Sequence, residues 1–287
     1  MSWTKFERLD LDVAIERLRA SAARVVVLGL PTSRNSSYLR ASPDAPARVA
    51  AAVLREESNP SAENGVDISD RGLVHYLGAL ALETDDEFDR IRRVAAEAFG
   101  LGKLPLFIGG DHSVTYPVVA GLHDVVGPVH IVHVDAHPDL YDNLQDNPLS
   151  HASPFARILE QGHARSLTQY GVRTLTAHQR EQVTRFGVRC HEMRHHRRWT
   201  PPELDGPVYV SLDLDAIDPA FVPGVAHQEP GGMTVRDVLD VLGWIDAPVV
   251  GGDVVEYHPQ RDIQGMTAIV AAKLVRELVA KMIGGVD

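Results

Sequence analysis

The sequence predicts an α/β protein with three layers, in which helices cover both faces of a central, mostly parallel sheet. Short apolar runs alternate along the chain with longer amphipathic stretches, which is typical of parallel α/β folds. The apolar runs lack a polar face, as expected of strands that are covered on both sides. No linker rich in proline, glycine and serine divides the 287 residues. We therefore predict a single domain over residues 1–287.

Five apolar runs are predicted to form strands of this sheet. Each is rich in valine, leucine or isoleucine and is short enough for a buried strand. In chain order they are Arg24–Leu30, Leu104–Gly109, Val129–Val134, Val208–Leu212 and Val249–Val255.

Seven amphipathic stretches predict helices between and after these strands. Two of them follow a capping residue, since Asp44 precedes Ala45 and Thr234 precedes Val235. In chain order the helices are Ala45–Glu57, Asp85–Phe99, Val114–Val126, Pro154–Gln161, Thr176–Phe186, Thr234–Ile245 and Met266–Ile283.

The composition excludes several classes of protein and of metal site. With 28 basic and 39 acidic residues the net charge is −11, which argues against nucleic-acid binding and mildly favours cationic partners. The sequence has neither a signal-peptide pattern nor an apolar run of membrane-spanning length, so we expect a cytoplasmic protein that binds no membrane. The single cysteine excludes internal disulfides, thiolate-rich zinc sites and iron–sulfur clusters. Histidine and carboxylate remain as ligands for a metal.

Polar residues follow four of the predicted strands at the point where each strand ends. Because the carboxyl ends of strands in an open α/β sheet border one crevice, we expect these residues to share one site. Residues two apart on a strand also point to one face, which should bring the alternate residues of each group together. The residues are His112 after the second strand, Asp135, His137 and Asp139 after the third, Asp213 and Asp215 after the fourth, and Glu256 after the fifth.

The charge of this cluster predicts a site for two metal ions. Four buried aspartates need compensating positive charge, and these motifs contain no arginine or lysine. Two divalent cations balance the four carboxylates formally, and His112 and His137 complete a mixed shell of nitrogen and oxygen ligands. Such a shell suits manganese and allows iron, cobalt, nickel or zinc. Two such ions can share a bridging water and lower its pKa towards neutrality.

Three segments resemble the metal-binding signatures of the ureohydrolase family, which includes arginases, agmatinases and formiminoglutamases. They are Gly-Gly-Asp-His-Ser at 109–113, Asp-Ala-His-Pro-Asp at 135–139 and Ser-Leu-Asp-Leu-Asp-Ala-Ile-Asp-Pro at 211–219, in the order found in that family. The resemblance implies a three-layer α/β/α arginase-like fold with an eight-stranded sheet, and two manganese ions per chain. It implies that His112 and Asp139 hold one ion, that His137 and Asp215 hold the other, and that Asp135 and Asp213 bridge both.

The resemblance also assigns three catalytic roles. Glu256 matches the glutamate that pairs with the guanidinium group of the substrate, with a surface ion pair as the alternative. His151 matches a histidine that shuttles protons, with a loop residue of no catalytic role as the alternative. Asp139 would accept a hydrogen bond from the metal-bridging hydroxide that attacks the guanidinium carbon. The products would be urea and an amine.

Within the family, the segments at 149–160 and 218–234 resemble the agmatinase branch. The stretch after Gly171 lacks the acidic residue with which arginases hold an α-amino group, so we expect an agmatine-like, cationic guanidino substrate. His227 stands where agmatinases usually have another residue, and either faces the pocket or packs within its loop. A guanidino-acid hydrolase such as a guanidinobutyrase, an arginase or a formiminoglutamase remains an alternative, and so does a metal-binding scaffold without activity.

Other classes fit the sequence less well. A two-metal phosphoesterase would carry a Gly-Asn-His segment, which is absent, and a one-metal deacetylase would lack the pair of His112 and Asp139. The resemblance implies a homotrimer or homohexamer. The basic cluster Arg189–Trp199 is expected to be a solvated surface, with a metal or anion site as the alternative.

Overall fold

The structure, a computed structural model, describes residues 6–40, 43–55, 58–70, 72–82 and 84–284. Within these ranges nine strands form one sheet in which every neighbouring pair is parallel. The strands are β1 (Arg8–Leu9), β2 (Val25–Leu30), β3 (Val74–Leu80), β4 (Leu104–Gly109), β5 (Val129–Val134), β6 (Ala164–Val172), β7 (Arg189–Glu192), β8 (Val208–Asp213) and β9 (Val249–Val255). Their spatial order is β1-β3-β2-β4-β9-β8-β5-β6-β7.

Helices cover both faces of this sheet and complete the three predicted layers. The helices are α1 (Leu11–Ala20), α2 (Ala45–Val53), α3 (Glu87–Gly100), α4 (Thr115–Val126), α5 (Pro154–Glu160), α6 (Ala177–Phe186), α7 (Val235–Gly243) and α8 (Met266–Gly284). One apolar core lies between the sheet and α2, α7 and α8, and a second lies between the opposite face and α1, α3, α4 and α5. Every residue of β2 and β5 is buried, as their apolar sequences predict.

The sheet has nine strands where the family resemblance implied eight, because the two-residue strand β1 pairs with β3 at one edge. All five predicted strands are present, whereas the strands β1, β3, β6 and β7 and the helix α1 were not predicted. β6 and β7 were not predicted because polar residues interrupt their apolar pattern. Two of these, Thr168 and Gln169, are buried polar residues of β6, and no residue of the edge strand β7 is fully buried.

The helix ends differ from the predicted ones by a few residues. Thr176 and Thr234 are N-caps whose side chains accept hydrogen bonds from the third helical residue, so α6 and α7 begin one residue later. Asp44 occupies the N-cap position of α2, but its side chain accepts no capping bond. α2 ends at Val53, and the predicted end at Glu57 lies outside the described residues.

In the part of the chain that the structure describes, no helix is long and apolar enough to cross a membrane. The single domain and the cytoplasmic location stay predictions.

Candidate metal centre and substrate pocket

The four strands that carry the candidate site residues are neighbours in the middle of the sheet. β4, β9, β8 and β5 lie side by side in this order, although β4 and β5 are consecutive along the chain. Because all four strands are parallel, the residues after them reach the same edge. The structure thus brings the predicted residues to one crevice, as the rule for open α/β sheets requires.

Short turns, rather than alternation along the strands, direct these side chains together. β5 ends at Val134 and β8 at Asp213, so His137 and Asp215 lie beyond the strands. The residues two apart do come together as expected, but through these turns. The Asp135 carboxylate accepts a hydrogen bond from the backbone N–H of His137 at 2.6 Å and so folds its loop back. Asp213 does the same with the N–H of Asp215 at 2.7 Å.

Asp139 returns to the crevice through an unusual backbone conformation. Its φ is +49°, in the left-handed region that costs most residues free energy. Pro138 lies immediately before it, four residues beyond the end of β5. Glu256, after β9, also has a positive φ, of +65°. Two of the five non-glycine residues with a positive φ in the described part of the chain are thus candidate functional residues.

The Nδ1 atom of His112 faces three carboxylates at nearly equal distances. It lies 3.2 Å from Asp135, 3.1 Å from Asp139 and 3.0 Å from Asp213. Although Nδ1 is buried, none of these contacts has the geometry of a hydrogen bond. A nitrogen and three oxygens that converge without bonding one another are arranged as ligands of a common cation.

The second predicted histidine completes the cluster. Nδ1 of His137 lies 3.1 Å from Asp215 and 3.2 Å from Asp135, and its side chain is 24% exposed where both carboxylates are buried. Three groups of side chains have ligand atoms that all lie within 4.8 Å of one another, and Asp135 belongs to each. They are His112 with His133 and Asp135, Asp135 with His137 and Asp139, and Asp135 with Asp213 and Asp215.

The buried aspartates of this site lack compensating positive charge from lysine or arginine among the described residues. Burial, with the nearby Asp215 and Asp135 carboxylates, raises the pKa of Asp213 well above its ordinary value. Burial likewise raises the pKa of Asp215, and Asp135 adds to the effect. Within the described residues, every ion pair made by these aspartates comes from a histidine. The residues therefore fit a pair of divalent cations, which would let all the carboxylates ionise.

A buried network behind His112 was missed in the sequence. Nε2 of His112 lies 2.9 Å from the hydroxyl of Ser211, which donates to Asp253 at 2.6 Å. Asp253 also accepts hydrogen bonds from Tyr209 at 2.7 Å and Thr115 at 2.8 Å. Since Ser211 donates its proton to Asp253, its oxygen is left to accept from Nε2. The network thereby holds one proton on Nε2 and leaves Nδ1 as the nitrogen that would bind a metal.

His133 supports Asp135 in a similar way. Its Nε2 lies 2.8 Å from the Asp135 carboxylate, and its Nδ1 lies 2.9 Å from the side-chain nitrogen of Gln169. Gln169 also donates to the carbonyl of Pro138 at 2.7 Å. The spacing of His133 two residues before Asp135 was a usable signal, because alternate residues of a strand share a face.

Glu256 and His151 contact each other beside the candidate metal ligands. Oε1 of Glu256 accepts a hydrogen bond from the backbone N–H of His112 at 2.9 Å and lies 3.2 Å from Nδ1 of His151. Burial opposes ionisation of Glu256, but the contact with His151 prevails and lowers the pKa of Glu256 below its ordinary value. Burial also opposes a charge on His151, but Glu256 prevails and raises the pKa of His151 to about 9.

The loop between β2 and α2 holds His151, and nothing in its polar sequence indicated this. The hydroxyl of Ser37 lies 2.9 Å from Nε2 of His151. The carbonyl of Asn35 accepts from the backbone N–H of His151 at 3.0 Å, and the N–H of Asn35 donates to Asp111 at 3.0 Å. This loop therefore positions the ring of His151.

The structure also gives the position of His227. This residue lies at the crevice that contains the candidate metal ligands, which we call the pocket, with its ring centroid 5.3 Å from that of His151 and 6.0 Å from that of His137.

The basic cluster Arg189–Trp199 lies away from the site in β7 and the turn after it, and residues 194–198 are exposed.

Comparison with known proteins shows the family to which the chain belongs. Residues 23–280 match the arginase family. The chain belongs to the arginase family. With the residues of a binuclear metal site in place, it is a metal-dependent ureohydrolase.

Among the relatives of this family member, arginases are more similar than agmatinases. Arginase 1, mitochondrial, from Arabidopsis thaliana is 44% identical and covers 96% of this chain and 86% of the relative. The agmatinase of Bacillus anthracis is 29% identical and covers 90% of this chain and 91% of the relative. The structure of the arginase from Medicago truncatula superposes with a TM-score of 0.88 at 40% identity, over 95% of this chain and 94% of that one. The comparisons thus favour the arginase alternative over the agmatinase branch.

Proposed function

We propose that this chain hydrolyses the guanidinium group of arginine to urea and an amine, with two manganese ions as cofactor. The proposal is carried by one observation. The chain is 44% identical to an arginase over nearly its whole length, and six side chains suited to metal binding lie in three overlapping groups that share Asp135. The ligands are His112, Asp135, His137, Asp139, Asp213 and Asp215.

Manganese suits the proposed ligands. They offer carboxylate oxygens with some imidazole nitrogen, and no thiolate, since the single cysteine, Cys190, is in β7. When bound, two such ions would supply the positive charge that lets a water ionise near neutral pH. Asp139 is proposed to accept a hydrogen bond from the attacking water.

Glu256 is proposed to bind and orient the guanidinium group. Its carboxylate is buried, and its lowered pKa favours the ionised form. It accepts a hydrogen bond from the backbone N–H of His112, a proposed metal ligand. A planar guanidinium cation pairs well with a fixed carboxylate, and the pairing gains strength where water is excluded. The reacting carbon would thereby be oriented for attack.

His151 is proposed to deliver a proton to the leaving nitrogen. A pKa of about 9 keeps its ring protonated near neutral pH, and Nδ1 points towards Glu256, where the guanidinium would lie. Ser37 contacts the ring at Nε2, and Asn35 accepts a hydrogen bond from the backbone N–H of His151. Proton transfer would turn a poor leaving group into a neutral amine.

Agmatine is a second candidate substrate because of the stretch after Gly171. Thr176 accepts hydrogen bonds from Tyr141 and from the start of α6, and the loop from Arg173 to Thr176 has no carboxylate for an α-amino group. Binding of arginine would therefore rest on other contacts. Guanidinobutyrate and formiminoglutamate remain further alternatives, while the oligomeric state stays a prediction.

Urea release by the manganese-loaded chain tests the proposal. Arginine, agmatine and guanidinobutyrate should be compared at equal concentration, with formamide release from formiminoglutamate measured in parallel. We expect the highest kcat/KM with arginine. A higher kcat/KM with agmatine would reverse the order of the two candidates. Release of neither product from any of these compounds would contradict a ureohydrolase activity.

A further inference from the structure

His227 lies on a loop whose backbone is fixed independently of its side chain. The guanidinium of Arg261 donates to the carbonyl of Ala226 at 3.1 Å and to the side chain of Gln228 at 2.8 Å, on either side of His227. Further along the loop, Arg173 donates to the carbonyl of Glu229 at 2.6 and 2.9 Å. Replacing the His227 side chain should therefore leave the path of the loop unchanged.

The ring of His227 is surrounded by three other rings at the candidate site. Its centroid lies 5.3 Å from that of His151, nearly stacked, 6.0 Å from that of His137, edge to face, and 5.8 Å from that of Tyr38. Tyr38 is 65% exposed, so the ring of His227 lies between the solvent-exposed ring of Tyr38 and the ring of the proposed metal ligand His137. His227 thus borders both the proposed proton donor and a proposed metal ligand.

Nε2 of His227 is buried and has no hydrogen-bond partner among the described residues. A buried polar atom left unpaired costs about 1–3 kcal/mol, and most such atoms in proteins are paired. The hydrogen bonds that anchor the loop do not involve this atom. A partner is therefore to be sought in a molecule that enters the pocket.

A guanidinium group offers that partner. It carries five N–H donors in one plane, and a single carboxylate cannot accept them all. Oε1 of Glu256 is already shared between His112 and His151, so Oε2 is the oxygen mainly left for a group with five N–H donors. We propose that Nε2 of His227 accepts a hydrogen bond from the guanidinium group of the substrate and acts with Glu256 as its second acceptor. This inference rests on the proposed function.

A pair of substitutions separates this role from ring packing. His227→Phe keeps an aromatic ring against His151 and removes the acceptor, whereas His227→Gln restores a polar acceptor without the ring. Gln228→Ala is the matched control, because it removes a loop contact to Arg261 without touching the pocket rings. Manganese content and Tm are measured for every variant.

Two readouts are needed, namely KM and kcat for both arginine and agmatine, and calorimetric binding of guanidinium ion to the manganese-loaded protein. Loss of a hydrogen bond to a charged group predicts a 10- to 100-fold higher KM for both substrates and a similarly weaker Kd for guanidinium ion in His227→Phe. His227→Gln should recover most of this loss, and Gln228→Ala should bind guanidinium ion normally.

The inference is overturned if His227→Phe binds guanidinium ion within twofold of the wild type. It is also overturned if only arginine is affected, since His227 would then contact the substrate tail, or if His227→Gln is as impaired as His227→Phe. A wild-type chain that binds guanidinium ion through His227 but releases no urea would contradict the proposed function alone.

Discussion

Asp253 offers a sharp test of how the fold prepares its metal ligands. This carboxylate is fully buried and lies behind His112, where it accepts hydrogen bonds from Ser211 on one oxygen and from Tyr209 and Thr115 on the other. Asp253→Asn keeps the size and shape of the side chain. It removes the charge and replaces one acceptor oxygen by a donor.

Both orientations of the new amide are unfavourable. If its nitrogen faces Tyr209 and Thr115, two buried hydroxyls lose their charged acceptor. If it faces Ser211, the hydroxyl of Ser211 must donate elsewhere, and Nε2 of His112 is within 2.9 Å. The proton of His112 would then move to Nδ1, the atom that faces the carboxylates. Hydrogen bonds to charged groups contribute about 1.5–3 kcal/mol, and outer-shell substitutions weaken metal binding about 10- to 100-fold.

We therefore expect Asp253→Asn to lower the free energy of unfolding by about 2 kcal/mol and manganese affinity by at least about 10-fold. Calorimetric titration with manganese at fixed pH measures the affinity, and urea denaturation of the metal-free protein measures stability. Tyr209→Phe is the control, because it removes a donor to Asp253 without touching Ser211. It should cost about 1 kcal/mol of stability and leave the affinity unchanged. Equal manganese affinity in Asp253→Asn and the wild type would refute the reasoning.

Three further predictions concern the proposed catalytic groups. Asp135→Asn should reduce bound manganese below two ions per chain and abolish urea release, because Asp135 belongs to all three ligand groups; undiminished activity would argue against the site. Glu256→Gln should lower kcat/KM about 100-fold with manganese content unchanged, measured by urea release and elemental analysis. Because the folded pKa of His151 is raised to about 9, its contribution to stability is complete below about pH 6.5 and is lost as pH rises through 9. Denaturation of the metal-free wild type should show this loss, on the order of 3 kcal/mol, and His151→Gln should not.

Much of the fold and the site can be predicted from local sequence. A run such as Val129–Val134 is mostly apolar on both faces, which favours a covered strand, and Asp-Ala-His-Pro-Asp directly after it is then expected at a sheet edge. The charge of four aspartates without basic neighbours is likewise a local property that requires cations. The edge strand β7 and the polar strand β6 lack such signals, and both were missed.

The supporting contacts depend on the tertiary structure. Ser211 and Asp253 are 42 residues apart, and Asn35 is 76 residues from Asp111, so no spacing rule connects them. The order of the strands is equally non-local. Placing β9 and β8 between β4 and β5 requires the crossovers and both helical layers to pack together.

Residue chemistry along the chain was therefore enough to group the proposed metal ligands with Glu256 and to favour divalent cations, whereas His151 and the catalytic roles came from the resemblance to the family. It left open whether His227 faces the pocket, and it favoured agmatine, whereas the relatives favour arginine. The direction of a loop side chain depends on anchors far away in sequence, here Arg261 and Arg173. Strand ends are determined locally by hydrophobicity, but the partners that orient a side chain are determined by packing, because they come from segments that meet only in the folded sheet.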